Sequence, residues 1–260
     1  MIRLHLLGCG DAFAAGGRLQ TTFLLETPAA GGRIERWLID CGATALTALK
    51  RAGVSTASLD GVLISHLHGD HFGGLPFVLL DAAVIARRER PLALAGPPGL
   101  DARLTTVAEA LYPGLGEPPF EVAEVTLAEG VPSTLGGLTV TPFPAVHPSG
   151  APSFMLRIEA AGRTIAFTGD TGWTEALFRL AAGADLLIAE CSTFDRPLEN
   201  HLDYVTLAAR RAELGCRRLI LTHLGADVLE RAAAGEVAIE TAFDGMTVDL
   251  RPPTARRAHR

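Results

Sequence analysis

The chain has few of the features that mark a secreted, membrane-spanning or nucleic-acid-coating protein. Its four cysteines, Cys9, Cys41, Cys191 and Cys216, are widely spaced and form no CxxC pair. That spacing gives neither a structural zinc site nor a disulfide framework, and a reduced cytoplasm is the expected location. No apolar stretch reaches the length of a membrane span; the run from Gly74 to Ala86 is among the longest and reads as a core helix. No signal peptide is expected, because Met1 runs straight into a strand with no basic region or cleavage site. Basic charge is not in excess either. The net charge of −6 argues against an extended nucleic-acid surface, although a local patch could sit beneath that average. Lys50 is the only lysine beside 22 arginines, a bias from which no function follows. Neither an internal repeat nor a low-complexity segment is visible. What remains is a chain of 260 residues, 48% hydrophobic, enough to bury a sizeable core as one domain.

Strand-like segments fall at 2–7, 21–27, 36–40, 61–65, 91–95, 120–127, 137–146, 153–160, 163–168, 185–190 and 217–222. Helix-like segments fall at 43–52, 75–88, 99–111, 174–182, 203–214 and 226–234. Strands cluster over 120–168, with β-to-α units on both flanks. The pattern predicts an α/β fold in which two mixed sheets pack face to face with helices outside. Pro/Gly-rich stretches at 96–99, 113–119 and 142–152 read as turns, and 251–260 as a loose basic tail.

The most informative stretch is His66-Leu67-His68-Gly69-Asp70-His71, directly after the apolar run Gly61-Val62-Leu63-Ile64-Ser65. Two residues apart on extended backbone, His66 and His68 point the same way. Asp70 and His71 come off the following turn and reach a second point nearby. The arrangement suits two adjacent metal ions better than one. Of the remaining histidines, His147 ends the β-like run 139–146 and His223 the run 218–222, while Asp170 ends the run 163–169. Ligands at strand ends are held by a rigid sheet yet stay open to solvent. Any one of these alone could equally be a cap, a turn residue or a satisfied core histidine. His5 lies inside the first strand and is assigned no role.

The pattern His66-x-His68-x-Asp70-His71 followed by His147, Asp170 and His223 resembles the metallo-β-lactamase superfamily, and within it the ribonuclease Z-like branch. The likeness runs nearly end to end: Leu7-Gly8-Cys9-Gly10-Asp11-Ala12, Leu38-Ile39-Asp40-Cys41-Gly42, Ala95-Gly96-Pro97-Pro98-Gly99-Leu100, and Ala189-Glu190-Cys191-Ser192-Thr193-Phe194 with His201 each resemble a motif of that branch. It implies a four-layer αββα sandwich whose halves, 1–125 and 126–250, meet near residue 125. It also implies a homodimer. One metal would be held by His66, His68 and His147, the other by Asp70, His71 and His223, with Asp170 and a water or hydroxide bridging them. Imidazoles with hard carboxylate oxygens suit zinc, and manganese or iron remain open. Two such ions lower the pKa of a shared water and steady the entering and leaving oxygens.

The resemblance further implies that Asp40 orients a ligand histidine, the alternative being a turn residue before Gly42. Glu190 and His201 would protonate the leaving oxygen, the alternative being that His201 caps the helix beginning near Asp203. Asp70 could also handle the proton of the attacking water. Arg18 and Ser149 could touch an anionic substrate, or be ordinary loop residues. The expected function is a dinuclear metal-dependent hydrolase, a phosphodiesterase using a metal-bridging hydroxide on a small or cyclic phosphodiester or on short RNA. No membrane partner is expected. Zinc β-lactamases carry a cysteine where Asp170 stands, which argues against antibiotic hydrolysis. Transfer-RNA 3′-end processing is disfavoured because only 22 residues separate His147 from Asp170, too few for the long arm that ribonuclease Z inserts there. The alternatives are lactone, thioester or aryl-sulfate hydrolysis, a flavodiiron-type redox protein, and a non-catalytic metal-bound scaffold or sensor. A flavodiiron protein would replace one of these imidazoles with glutamate and carry a flavin domain.

Overall fold

A computed structural model of the chain describes residues 1–251, so all of the basic tail beyond Arg251 lies outside the described residues. The first sheet is built from β1 (Ile2–Gly8), β2 (Thr22–Pro28), β3 (Ile34–Ile39), β4 (Gly61–Leu63), β5 (Leu92–Gly96) and β6 (Val122–Thr126). Between these run α1 (Ala45–Arg51), the single turn α2 (Gly69–Phe72), α3 (Leu75–Val84) and α4 (Leu100–Leu111). The second sheet contains β7 (Ser133–Leu135), β8 (Leu138–Pro144), β9 (Phe154–Ala160), β10 (Arg163–Phe167), β11 (Leu186–Glu190), β12 (Leu219–Thr222) and β13 (Glu240–Thr241). Its helices are α5 (Ala176–Ala181), α6 (Tyr204–Arg210) and α7 (Ala226–Ala233). The last strand, β14 (Met246–Leu250), crosses back and pairs antiparallel with β1.

Each sheet has seven strands, in the orders β14-β1-β2-β3-β4-β5-β6 and β13-β12-β11-β10-β9-β8-β7. In both, antiparallel pairing gives way to parallel pairing partway across, at β3–β4 in one and β10–β11 in the other. The parallel strands β4, β11 and β12 are buried along their whole length, which is why they read as unbroken apolar runs. Strand β14 alternates buried with exposed, as expected of an outer strand with one covered face.

Three apolar clusters fill three interfaces. Leu4, Phe23, Trp37, Ile158, Phe167 and Ile188 belong to the layer between the sheets. Leu38, Val62 and Leu94 meet Ala48, Leu75 and Leu104 of the helices over the first sheet. Leu187, Ala189 and Leu221 meet Leu177, Leu207 and Val228 over the second. The architecture is the expected αββα sandwich.

Three short strands were not expected from the sequence: β7, β13 and β14. The segment after His68, read as a turn, is instead one turn of helix. Between His147 and Asp170 the chain forms the hairpin β9–β10, turned by Ala161 and Gly162 at φ 45° and 71°, so the expected pair of short strands is present and a long arm is not. All four cysteines are free and buried. Among the described residues no helix is long and apolar enough to cross a membrane.

Candidate metal centre

The chemistry-bearing residues leave the carboxyl ends of strands, where loops are free to converge while the sheet stays rigid. Asp40 follows β3, Ser65 and His66 follow β4, His147 follows β8, Asp170 follows β10, Glu190 ends β11, and His223 follows β12. His68 is extended (φ −87°, ψ 151°) and starts α2, whose single turn carries Asp70 and His71. Asp40 and His223 turn sharply off their strands at φ 56° and 54°. The left-handed conformation is sparsely populated for histidine, and here the His223 N–H donates to the Cys9 carbonyl at 3.0 Å, tying it to the end of β1.

Four overlapping groups of potential ligand atoms result among the described residues, and two of them consist of the expected ligands. His66, His68 and His147 offer atoms within 4.8 Å of one another, as do Asp70, His71, Asp170 and His223. Asp170 touches both groups. Its Oδ1 lies 3.2 Å from His71 Nε2, and its Oδ2 lies 3.5 Å from His223 Nε2 and 3.8 Å from Nε2 of His66 and of His147. Asp70 Oδ2 stands 3.2 Å from His223 Nε2 and 3.4 Å from His71 Nε2.

The outward nitrogens are already engaged. His71 Nδ1 lies 2.7 Å from Asp40 Oδ2, His66 Nδ1 3.1 Å from Ser65 Oγ, and His147 Nδ1 3.0 Å from the Asn200 carbonyl. Since a carboxylate or carbonyl can only accept, His71 and His147 carry a proton on Nδ1, which leaves Nε2 as the atom that faces inward. Of the inward atoms, His66 Nε2, His71 Nε2 and Asp170 Oδ1 are buried with no hydrogen-bond partner. Each orphan of that kind costs about 1–3 kcal/mol. Three of them facing one another fit a cation, and the donor set of imidazoles and carboxylates fits a divalent one.

Electrostatics divide the histidines: burial opposes the charge of His71, but Asp170 and Asp40 outweigh it and hold the ring well above the ordinary histidine range, so the carboxylates call for positive charge at that point. Burial, reinforced by neighbouring imidazoles, pushes His66 and His68 below the ordinary histidine range and so toward the neutral, ligand-competent form. Burial opposes the charge of Asp170, but His223 and His71 hold its carboxyl well below the usual range. His223 is pushed up to about 9, with Asp170 and Asp70 overriding its burial.

Beside these groups lies Glu190, wholly buried, accepting from the Thr171 N–H at 2.6 Å and from Ser192 Oγ at 2.7 Å. His201 Nδ1 lies 3.0 Å from its Oε1, and the His201 side chain is 26% exposed. Burial lowers the pKa of His201, but the Glu190 hydrogen bond and charge outweigh it, for a net rise. His201 does not cap α6: Asp203 does, accepting from the Thr206 N–H at 2.8 Å.

Arg18 and Ser149 are held in loop contacts. Arg18 donates to the Ala242 carbonyl at 2.7 Å, and Ser149 Oγ lies 2.9 Å from Ser153 Oγ. His5 pairs with Thr247 on β14, away from the rim. The structure instead brings in residues that the sequence did not single out. Ser65 and Ser192 bond the ligand-bearing histidines. Arg103, in the first turns of α4, reaches the Leu67 carbonyl at 3.4 Å and lies 2.9 Å from where a Cβ on Gly150 would be. Its guanidinium therefore sits between the 66–71 loop and the loop after His147, and among the described residues it has no carboxylate partner.

A family profile described as anti-Pycsar protein Apyc1 matches residues 2–241. A ribonuclease Z of Mycobacterium sp. (strain KMS) is 32% identical over 246 residues, covering 86% of this chain and 84% of that protein. Among solved structures, the metallo-β-lactamase fold protein YhfI from Bacillus subtilis superposes with a TM-score of 0.75 at 24% identity, covering 96% of this chain and 100% of that one. The short form of human tRNase Z gives 0.73 at 24% identity, covering 96% and 100%. At that identity these structures bear on the fold alone.

Proposed function

Because the chain belongs to the anti-Pycsar protein Apyc1 family, in the ribonuclease Z-like branch of the metallo-β-lactamase superfamily, we propose that it is a phosphodiesterase acting on a small or cyclic phosphodiester or on short RNA. That it is a metal-dependent hydrolase follows from its membership. The observation that carries the phosphodiester reading is His201: anchored to Glu190 through Nδ1, partly exposed, and within 4.8 Å of ligand atoms of His147 and Asp170. An alkoxide leaving group needs a proton, whereas the thiolate of a thioester and the phenolate of an aryl sulfate need one less; a lactone also expels an alkoxide, and the substrate panel separates it.

In this reading His66, His68 and His147 would hold one metal and Asp70, His71 and His223 the other, and Asp170 would serve both. Bound there, the metals would lower the pKa of a water and neutralise charge on the phosphoryl oxygens; zinc is the first choice from the donor set, with manganese or iron next. Asp40 holds His71 in the Nδ1–H tautomer. Glu190 keeps His201 protonated on Nδ1, and His201 Nε2 delivers the proton to the departing oxygen. Arg103 supplies the fixed cation beside the ligand loops that an anionic diester would meet. Asp70 takes the proton of the attacking water. A homodimer resident in the cytoplasm completes the proposal, on the strength of the family likeness and of the unpaired, widely spaced cysteines.

The decisive experiment measures metal by elemental analysis and bis-p-nitrophenyl phosphate turnover on one sample, with cyclic nucleotides, short RNA, a lactone, a thioester and an aryl sulfate as the panel. Two metal equivalents with diesterase turnover support the reading. Two equivalents with turnover only of another ester class, or none at all, would sink it.

A further inference from the structure

The two sheets end in the same construction. On the first, Ser65 Oγ donates to Asp40 Oδ2 at 2.8 Å and lies 3.1 Å from His66 Nδ1. A hydroxyl has one proton. With that proton committed to a carboxylate, Ser65 Oγ can only accept the Nδ1–H of His66. On the second, Ser192 Oγ donates to Glu190 Oε2 at 2.7 Å and lies 3.4 Å from His223 Nδ1. It also lies 3.1 Å from His201 Nδ1, but that nitrogen has Glu190 Oε1 at 3.0 Å. Ser192 Oγ is thus the acceptor available to the Nδ1–H of His223. In each case a buried carboxylate at a strand end fixes a hydroxyl, and the hydroxyl fixes an imidazole on the neighbouring strand's loop.

We propose that Ser65 and Ser192 are positioning residues, one for each metal site: Ser65 orients His66 and Ser192 orients His223, so that both present Nε2 to the metals. The inference rests on the ligand assignment of the proposed function and not on its substrate. A neutral imidazole binds a cation only through its unprotonated nitrogen, and the partner of the other nitrogen selects the tautomer and fixes the ring. Glu190 consequently serves two histidines, the rim residue His201 directly and the ligand His223 through Ser192. Substituting Glu190 would disturb both, so His201 itself is the residue whose replacement isolates the proton donor.

The test is zinc affinity, read by competition with a chromophoric chelator, for Ser65→Ala, Ser192→Ala and the corresponding threonine variants. Each alanine variant is also made in two backgrounds, His68→Ala and His223→Ala, which leave one site each. Circular dichroism confirms that every variant is folded. Ser192→Ala should weaken zinc about 10–100-fold in the His68→Ala background and change nothing in the His223→Ala background. Ser65→Ala should show the reverse, and threonine, which keeps the hydroxyl, should restore affinity in both. Wild-type affinity in the alanine variants, equal weakening in both backgrounds, or failure of threonine to restore would overturn the proposal. Wild-type protein that binds no zinc would overturn it together with the ligand assignment. Two zinc equivalents without diester turnover would refute the substrate reading and leave the serine roles standing.

Discussion

Asp40→Asn should fold normally yet bind metal 10–100-fold more weakly. The substitution keeps size and shape, and asparagine tolerates the left-handed backbone at φ 56° as readily as aspartate does. What changes is the acceptor count. The carboxylate takes three donors: the Ser65 N–H on Oδ1 at 2.8 Å, and Ser65 Oγ–H at 2.8 Å and His71 Nδ1–H at 2.7 Å on Oδ2. An amide has one acceptor oxygen. If its NH₂ faces the Ser65 N–H, two donors meet head-on and a buried backbone group loses its partner, at about 1–3 kcal/mol. If the oxygen stays on the Ser65 N–H, the NH₂ faces His71 Nδ1, which can then only accept. His71 must move its proton to Nε2, the atom that faces Asp170 and Asp70. The second arrangement spares the fold and costs a ligand. Loss of such an orienting partner weakens a metal site about 10–100-fold, or roughly 1.4–2.7 kcal/mol. Metal retained after dialysis against graded chelator, compared with turnover on the same samples, measures the effect. Metal retention and activity equal to wild type would refute the tautomer argument.

His201→Asn should retain both metals and lose about 10²–10⁴-fold in turnover of a diester with an alkyl leaving group, and less with p-nitrophenolate, which leaves unprotonated; equal losses on the two substrates would exclude a proton-donor role. Arg103→Gln should raise KM for anionic diesters while leaving metal content and neutral-ester turnover unchanged, and an unaltered KM would show that the guanidinium only braces its two loops. Asp60 accepts from the Arg36 N–H at 2.8 Å and from Arg33 at 2.5 Å. Burial raises its pKa, but these donors outweigh burial and leave the carboxyl below its ordinary value. The folded form thus titrates lower than the unfolded chain, so the stabilisation is complete above the unfolded value of about 3.9 and fades as pH falls through the folded one. Asp60→Asn should cost up to about 1 kcal/mol at neutral pH, reduced by the exposure of Arg33. The gap between the urea midpoints of wild type and variant should close in acid, and a gap independent of pH would contradict the assignment.

The sequence made the parts with local signals legible. Helices α1 and α3 to α7 and eleven of the strands arise where periodicity places them, because their apolar runs face one of the three clusters. The convergence of residues 66–71 with His147, Asp170 and His223 was legible for the same reason, unusual residue types at predictable places. Strand β13, of two residues, carries no signal at all. Strand β14 does carry one, since Met246, Val248 and Leu250 alternate with Thr247 and Asp249, and it is as long as β5 and β6. Ser65, Ser192, Arg103 and the Asn200 carbonyl are ordinary groups. Their positions become meaningful only when β3 lies beside β4, β11 beside β12, and α4 over the ligand loops, and that is a property of the sheet order.

The four buried carboxylates of the centre look alike in sequence, and hydrogen bonding divides them. Burying a carboxylate is costly unless it is paired and its oxygens find donors. Asp40 meets that demand with three donors, and Glu190 with the Thr171 N–H, Ser192 Oγ–H and His201 Nδ1–H. Three donors engage both oxygens of each, which commits the pair to orienting others. Asp170 is the opposite case: it is as buried as they are, its Oδ1 has no hydrogen-bond partner, and imidazole nitrogens of both groups surround it. Asp70 falls between them, its Oδ2 3.2 Å from His223 Nε2, so the contrast is between Asp40 and Glu190, fully supplied with donors, and Asp170, which faces the imidazoles with one oxygen unpartnered. An Asp170→Asn variant that kept both metals would contradict that division, because an amide brings a donor to the point where the cluster needs a charge.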